Sequence, residues 1–363
     1  MISKKTFSLP IIQALLAAIL FAASAPLSKL FLSDVDPIPL AAFLYLGSGF
    51  GALTLIGLQK LMRPERIKEA HLSRPDVPWL LGAVFIGGVL APIALLFGLQ
   101  TTPASTASLL LNFESIATAL IAAIFFKEAI GKRIAWAIGL VTLACSLLTL
   151  TWGDWGFSPG AFIILAACFC WGLDNNFTNQ ISARDPLQIV VFKGLGAGTF
   201  SLLLTFLLDK PLPGLKTIFL AGALGAVSYG LSIALIILAM RALGSARAYA
   251  LFGSAPFIGV FISFLLFKEE PSLNLWLALP LMLLGAWLML SEHHVHSHEH
   301  LSLTHDHTHT HMDEHHNHAP EEGPPLVNNQ HSHPHQHEYL IHTHAHTPDI
   351  HHRHTHSKDG DGS

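Results

Sequence analysis

Ten long apolar segments, separated by short polar stretches, occupy the first four-fifths of this sequence. An α-helix needs about 20 apolar residues to cross the hydrocarbon core of a bilayer. The segments lie near residues 9–31, 37–58, 78–99, 103–126, 132–150, 158–180, 187–208, 213–240, 244–267 and 272–291. They lack the polar–apolar alternation of membrane barrel strands. Because each segment must satisfy its own backbone hydrogen bonds in lipid, the sequence predicts an all-α integral membrane protein with ten transmembrane helices.

The composition argues against several other classes of protein. Charged residues make up 12% of the chain, about half of their share in an average soluble domain. No basic patch carries the motif context that nucleic-acid binding needs, and we expect no nucleic-acid partner. No nucleophile–base set or catalytic metal motif is present, so we do not expect an enzyme. Because the three cysteines lie inside apolar segments, we expect no disulfide framework.

Lysine and arginine are unevenly distributed between alternate loops. With the N-terminus inside, thirteen lie on the inner side and four on the outer side. The inner set is Lys4, Lys5, Lys60, Arg63, Arg66, Lys68, Arg74, Lys127, Lys132, Arg133, Arg184, Arg241 and Arg247, and the outer set is Lys29, Lys210, Lys216 and Lys268. Cytoplasmic loops carry the excess of positive charge. We therefore expect a multi-pass protein of the plasma membrane, or of the bacterial inner membrane, with both termini in the cytoplasm.

The two halves of the apolar region repeat the same short motifs in the same order. The tetrapeptide FFKE at 125–128 matches LFKE at 266–269, and Asp36-Pro37 matches Asp185-Pro186. These matches define five-helix repeats at residues 9–150 and 158–291. Because five is odd, the second repeat enters the membrane from the opposite side, as in alternating-access carriers. The first segment resembles a signal peptide, but its place in the repeat leads us to expect that it is retained.

Two stretches of the sequence, one in each repeat, resemble a known family. The stretch LQTTPASTASLLLNFESIATALIAAIFFKEAIGKRIAWAIGL from Leu99 and its partner MRALGSARAYALFGSAPFIGVFISFLLFKEE from Met240 are similar to the two EamA-type repeats of the drug/metabolite transporter (DMT) superfamily. The resemblance implies ten helices and alternating-access transport of a small metabolite or a toxic organic compound, usually outward. One position departs from the family pattern, because Glu114 stands where a small residue is expected.

Glu114 is the acidic residue that the membrane tolerates least. It lies about 11 residues into the fourth segment, near the predicted midplane. A carboxylate there costs at least about 2.5 kcal/mol unless it is protonated, paired or in contact with water. A carboxyl group that loads a proton from one side and releases it to the other can couple proton flow to transport. Glu114, together with Asn112, is therefore predicted to line a proton-coupling cavity, with a purely structural hydrogen bond as the alternative.

Further polar residues lie within the sixth and seventh segments. Asp174 and Lys193 are predicted in the inner third of their helices, where a salt bridge lowers the cost of burial. Alternatively, the long side chain of Lys193 extends to the inner membrane interface. Asn175, Asn176 and Asn179 follow Asp174 at spacings that place them on one side of a helix. Such a polar stripe indicates either a substrate cavity or a seam between helices.

Four residues at helix ends complete the predicted sites. Glu128 and Glu269 carry the repeated family motif, and each precedes a helix whose positive N-terminus a carboxylate complements. We predict capping or an interface role for both. Arg247 and Tyr249 lie at the predicted inner mouth. Arg247 there either attracts an anionic substrate or anchors the helix at the interface.

Residues 292–363 are polar, of low complexity and rich in histidine. All histidines except His71 lie in this tail, which has too few apolar residues for a core and is predicted to be disordered. His-x-His patterns suit Zn, Ni, Co or Cu. The predicted ligands are His296, His298, His300, His305, His307, His309, His311, His331, His333, His335, His337, His342, His344, His346, His354 and His356. A response to pH is the alternative, because imidazole titrates near neutrality.

The sequence therefore favours a proton-coupled secondary transporter that works as an exporter. Its expected partners are a small-molecule substrate and the lipid bilayer. No cofactor is required, while transition-metal ions on the tail are expected partners. One alternative keeps the fold and makes Ni, Co or Zn the cargo. Another is a membrane-anchored metal sensor or store. The oligomeric state stays open between a monomer and a homodimer.

Overall fold

The computed structural model describes ten stretches of the chain. They are residues 4–62, 71–125, 131–151, 156–181, 184–243, 251–290, 294–300, 304–309, 331–336 and 340–346. The first six stretches contain the apolar segments and the last four lie in the histidine-rich tail. Every structural statement below refers to these residues.

Ten apolar helices follow one another in the order that the sequence predicts. They are α1 (Lys4–Ala22 and Ser24–Phe31), α2 (Pro37–Met62), α3 (Arg74–Thr101), α4 (Ala104–Phe125), α5 (Lys132–Thr149), α6 (Pro159–Gln180), α7 (Pro186–Leu207), α8 (Leu215–Gly225, Ala226–Leu231 and Ser232–Leu243), α9 (Ala255–Phe267) and α10 (Leu273–Leu290). By length and composition, α1 to α8 can each cross a bilayer, and α9 and α10 are shorter apolar helices in the part described. The predicted ten-helix membrane fold is confirmed.

Helices α3, α4 and α8 depart from regular α-helical geometry, in addition to the break at Ala23 within α1. A π-helical segment at Ala83–Leu90 lies within α3, and another at Ala226–Leu231 lies within α8. A turn at 111–112 divides α4 into Ala104–Leu110 and Phe113–Phe125. The π-helix is rare and is found most often at functional sites. The two π-helical segments lie in the third helix of each repeat, so the irregularity is duplicated along with the fold.

Helices α2 and α7 cross at small residues. A Cβ atom added to Gly194 would lie 2.5 Å from the backbone nitrogen of Gly49, and one added to Gly198 would lie 2.6 Å from that of Leu46. Such distances leave no room for a side chain. The glycine steps therefore bring the two backbones into direct contact, which is how small residues promote helix packing in membranes.

Polar contacts at the helix ends form two sets on opposite sides of the bundle. On one side, Arg184 Nε donates to Asp76 Oδ2 at 2.8 Å, which joins the start of α3 to the α6–α7 connection. On the other side, Lys210 Nζ lies 3.6 Å from Asp36 Oδ2. A short ladder between β1 (Leu150–Thr151) and β2 (Gly156–Phe157) lies with this second set. This separation fits helices that alternate in direction.

Four further strands are described within the tail. They are β3 (His294–His300), β4 (Thr304–His309), β5 (His331–Gln336) and β6 (Leu340–His346). In the antiparallel pairs β3–β6 and β4–β5, histidine stands opposite histidine, as at His296 and His344 or His307 and His333. The disorder predicted for residues 292–363 as a whole stays a prediction. Residues that alternate with a period of two match a strand, although an isolated two-stranded ladder is only marginally stable in water.

Candidate functional site

The turn that divides α4 places Glu114 at the start of the second half-helix. Asn112 N and Glu114 N each donate to the carbonyl three residues earlier, at 3.1 Å. The Asn112 side chain donates to the Leu109 carbonyl at 3.0 Å, so it serves the turn itself. Carrier binding sites are commonly formed by discontinuous helices near the bilayer midplane. The sequence shows no proline or glycine at 111–112 that would have predicted this turn.

Glu114 contacts one neutral donor from α6. Asn175 Nδ2 donates to Glu114 Oε1 at 2.9 Å and lies 3.1 Å from Thr118 Oγ1. Within the described residues, no group donates to Glu114 Oε2, and this atom is not among the buried atoms without a partner. Among the described residues, one carboxylate oxygen of Glu114 is therefore held by an amide, and the other accepts no hydrogen bond.

The exposed side chain of Asn175 shows which side of α6 is open. At about 100° per residue, Asn175 lies roughly 220° round the helix from Phe162 and roughly 240° from Phe169. Those two phenylalanines are exposed on the apolar outer face, whereas Asn175 is exposed on the side that contacts Glu114. Glu114 and Asn175 therefore meet between α4 and α6, away from the side of α6 that carries those two phenylalanines.

Asp174 and Lys193 form a salt bridge between α6 and α7. Lys193 Nζ lies 2.7 Å from both Asp174 oxygens, and Thr178 Oγ1 donates to Asp174 Oδ1 at 3.1 Å. The Asp174 side chain is 6% exposed and that of Lys193 is 20% exposed. Glu114 is close enough to interact electrostatically with both. Three donor contacts thus compensate the Asp174 carboxylate, while Glu114 has one.

Aromatic side chains link this pair to the two π-helical segments. Tyr45 Oη and Trp171 Nε1 both donate to the Gly87 carbonyl in the π-helical part of α3, at 3.1 and 3.0 Å. The ring of Tyr45 lies 5.7 Å from the ring of Tyr229, which belongs to the π-helical part of α8. We name Tyr45, Trp171 and Tyr229 the aromatic wall. The sequence argument missed it, although tyrosine is rare in this chain and two of its four copies lie here.

Comparison with known proteins decides the class of this protein. The EamA-like transporter family matches residues 8–150 and, a second time, residues 158–291. The chain belongs to the EamA-like transporter family. It is 28% identical over 296 residues to an uncharacterized transporter of Methanothermobacter thermautotrophicus, covering 77% of this chain and 85% of that protein. A solved crystal structure with 19% identity and a TM-score of 0.54 covers 76% of this chain and 95% of that one, which shows a shared fold.

The structure separates the asparagines of this EamA-like transporter by their partners. Asn176 is buried and donates to the carbonyls of Thr118 and Gly172, at 3.1 and 2.8 Å. The contact with Thr118 joins α6 to α4, as the helix-seam alternative expects, and the contact with Gly172 lies within α6. Asn179 is half-buried in the last turn of α6. Of the three, Asn175 is the one in contact with Glu114.

The remaining predicted residues fall into two groups. Glu128, Arg247, Tyr249 and four tail histidines lie outside the described residues, and these histidines are His311, His337, His354 and His356. Glu269 is described, and it accepts hydrogen bonds from Ala104 N at 2.8 Å and Ser105 N at 3.0 Å. The carboxylate thus caps α4 and not the following helix, α10, because the end of α9 lies beside the start of α4. Among the residues whose side chains the structure describes, no group of three or more His, Cys, Asp or Glu residues is placed to hold a metal ion.

Proposed function

We propose that this EamA-like transporter is a proton-coupled exporter of a small organic solute, and that Glu114 is its proton-exchanging group. The solute would bind beside Glu114 and Asn175, next to the aromatic wall. Membership of a transporter family supports transport in place of catalysis. The outward direction rests on the family resemblance.

The contrast between the two membrane acids carries the proposal. Asp174 is compensated by a lysine and a hydroxyl, whereas Glu114 has one amide donor and an oxygen without a donor among the described residues. An uncompensated carboxylate in a bilayer costs at least about 2.5 kcal/mol. Glu114 therefore gains most from binding a proton when its surroundings close and from releasing it when water enters.

Alternating access follows from the duplicated architecture. Two inverted five-helix repeats can exchange their conformations and expose one central site to each side in turn. The distribution of positive charge supports cytoplasmic termini and a location in the plasma or bacterial inner membrane. Both repeats come from one chain, so the proposed cycle does not require a homodimer.

The histidine-rich tail is proposed as an accessory metal-binding element. Its histidines pair across the two ladders, and imidazole is a good ligand for Zn, Ni and Co. The cargo is assigned to an organic solute because the ten apolar helices contain no histidine. His71, outside the tail, precedes α3 and contacts Gln188.

Transport by purified protein in liposomes tests the role of Glu114. A panel of radiolabelled amino acids, together with ethidium, is assayed with and without a pH gradient. A gradient should stimulate flux of at least one probe by the wild-type protein. Glu114→Gln keeps the size of the side chain but removes its titration, so the stimulation should disappear while exchange of solute without net proton movement continues.

Glu270→Gln is the matched control, because Glu270 is an exposed acid outside the helices. It should respond to the gradient as the wild-type protein does. The proposal is wrong if Glu114→Gln and the wild-type protein respond equally. It also fails if the gradient stimulates none of the probes while solute exchange is measurable.

A further inference from the structure

Glu269 holds two helices from different repeats together at the outer end of the bundle. Its two oxygens accept hydrogen bonds from Ala104 N and Ser105 N, and Ser105 Oγ also donates to Oε2 at 2.5 Å. The first amides of a helix have no partner within that helix. Glu269 supplies this partner from the connection between α9 and α10, so the contact joins α9 to α4.

Lys29 adds α1 to the same contact region. Its ammonium group donates to the Thr102 carbonyl, two residues before α4 begins. It also interacts electrostatically with Glu269. We name Lys29, Ser105 and Glu269 the polar latch. The ends of α1, α4 and α9 therefore meet at one point that combines a cation, a carboxylate and the first amides of a helix.

The local backbone directs Glu269 towards α4. Helix α9 ends at Lys268, which has a left-handed conformation with φ of 50°. This conformation reverses the chain direction at a helix end. Lys268 and Glu270 are exposed on either side, while Glu269 is partly buried against α4. The carboxylate contact is therefore specific to one of two adjacent acids.

We propose that the polar latch is an outer gate that opens and closes during transport. This inference rests on the proposed alternating-access function. The half-helix Ala104–Leu110 joins the latch to the turn at 111–112, and Glu114 follows that turn directly. Movement of α4 at the latch is thereby transmitted to the coupling residue. The amides that Glu269 leaves must bind water, so the latch opens as the outer mouth becomes hydrated.

Ser108 is a suitable reporter because it lies one turn inside the latch. The residue is 1% exposed, and its side chain lies beside Gly259 of α9. A Ser108→Cys variant is made in a background whose native cysteines are replaced by alanine. A membrane-impermeant maleimide then labels right-side-out vesicles. Labelling should be slow while the latch is intact.

Glu269→Gln should accelerate this labelling by roughly two- to thirty-fold, the range that follows from the usual cost of losing a helix cap. Lys29→Met should act in the same direction. Glu270→Gln is the matched control and should leave the rate unchanged. Size-exclusion chromatography establishes that each variant is folded. If Glu269→Gln does not fold, Glu269→Asp, which keeps the charge on a shorter side chain, takes its place and should label faster than the wild type.

Equal labelling rates in folded Glu269→Gln and Glu270→Gln variants would overturn the proposal that the polar latch is a gate. Fast labelling with the latch intact would overturn it as well, as would an acceleration confined to inside-out vesicles. The assay needs neither a substrate nor a pH gradient. Its failure is therefore distinguishable from failure of proton coupling at Glu114.

Discussion

The two repeats share their irregularities but not their chemistry. Matching FFKE to LFKE aligns Asn112 with Gly253 and Glu114 with Ala255. Turns interrupt the chain at both aligned places, at 111–112 and at 253–254, and π-helical segments occur in both α3 and α8. The second repeat nevertheless has a buried alanine where the first has its acid. Duplication thus supplied a symmetric frame, in which Glu114 has no acidic counterpart in the second repeat.

The seventh helix gives the clearest way to remove a difference between the repeats. Asp36–Pro37 and Asp185–Pro186 align Leu44 with Lys193, so Lys193→Met makes the second repeat as apolar as the first. The change matches only position 193 to its apolar counterpart. It leaves Asp174 buried without its cation, and removing one partner of a buried pair costs about 3–5 kcal/mol. Thermal unfolding in detergent should show a large loss of stability.

The double variant Asp174→Asn with Lys193→Met should recover most of that loss, because no buried charge remains. Lys210→Met is the comparison at a surface pair, since Lys210 lies 3.6 Å from Asp36 with both side chains partly exposed. Its effect should be about 0–1 kcal/mol. A similar loss for Lys193→Met and Lys210→Met would contradict the importance of the buried pair.

Ala255→Glu tests the comparison from the other direction by giving the second repeat an acid. Ala255 is 2% exposed and packs in an apolar cluster with Ala18 and Ala22. We expect a loss of stability of at least about 2.5 kcal/mol when the new carboxyl group is charged. Ala255→Gln has the same size without the charge, so its smaller loss in the same unfolding assay isolates the electrostatic part. Equal losses would show that crowding alone is responsible.

Tyr45→Phe removes one of the two side-chain donors to the Gly87 carbonyl. Trp171 still donates to this atom, so we expect a loss of stability of about 1 kcal/mol. Double-mutant analysis with Trp171→Phe should give a larger loss than the two single changes combined, because the carbonyl then has neither donor. Simple additivity would indicate that the two contacts are independent.

The tail differs most from both repeats, and its removal should affect transport least. Deletion of residues 292–363 should leave gradient-stimulated flux of the organic probes unchanged. The same deletion should abolish most binding of Ni²⁺ or Zn²⁺, measured by equilibrium dialysis of purified protein. Loss of flux with intact membrane insertion would contradict an accessory role. Unchanged metal binding would show that the metal binds outside residues 292–363.

Sequence patterns predicted the helices well because segment length and hydropathy report directly on lipid. The repeat was visible through short motifs, and intramembrane Glu114, Asp174 and Lys193 stood out by their charge. The turn at 111–112 and the π-helical segments were not visible, because tertiary packing determines them without a proline or glycine at the turn. Glu269 was expected to serve the next helix, and the helix that it caps became evident only from the packing of α9 against α4.

The backbone contact between α2 and α7 has a mechanical consequence. Gly49 and Gly194 belong to different repeats and meet without intervening side chains. Rotation about such a contact requires no side chain to change its rotamer. The crossing can therefore serve as the point about which α2 and α7 rotate against each other. A methyl group introduced at Gly194 would force the two helices apart at this point before it affected their ends.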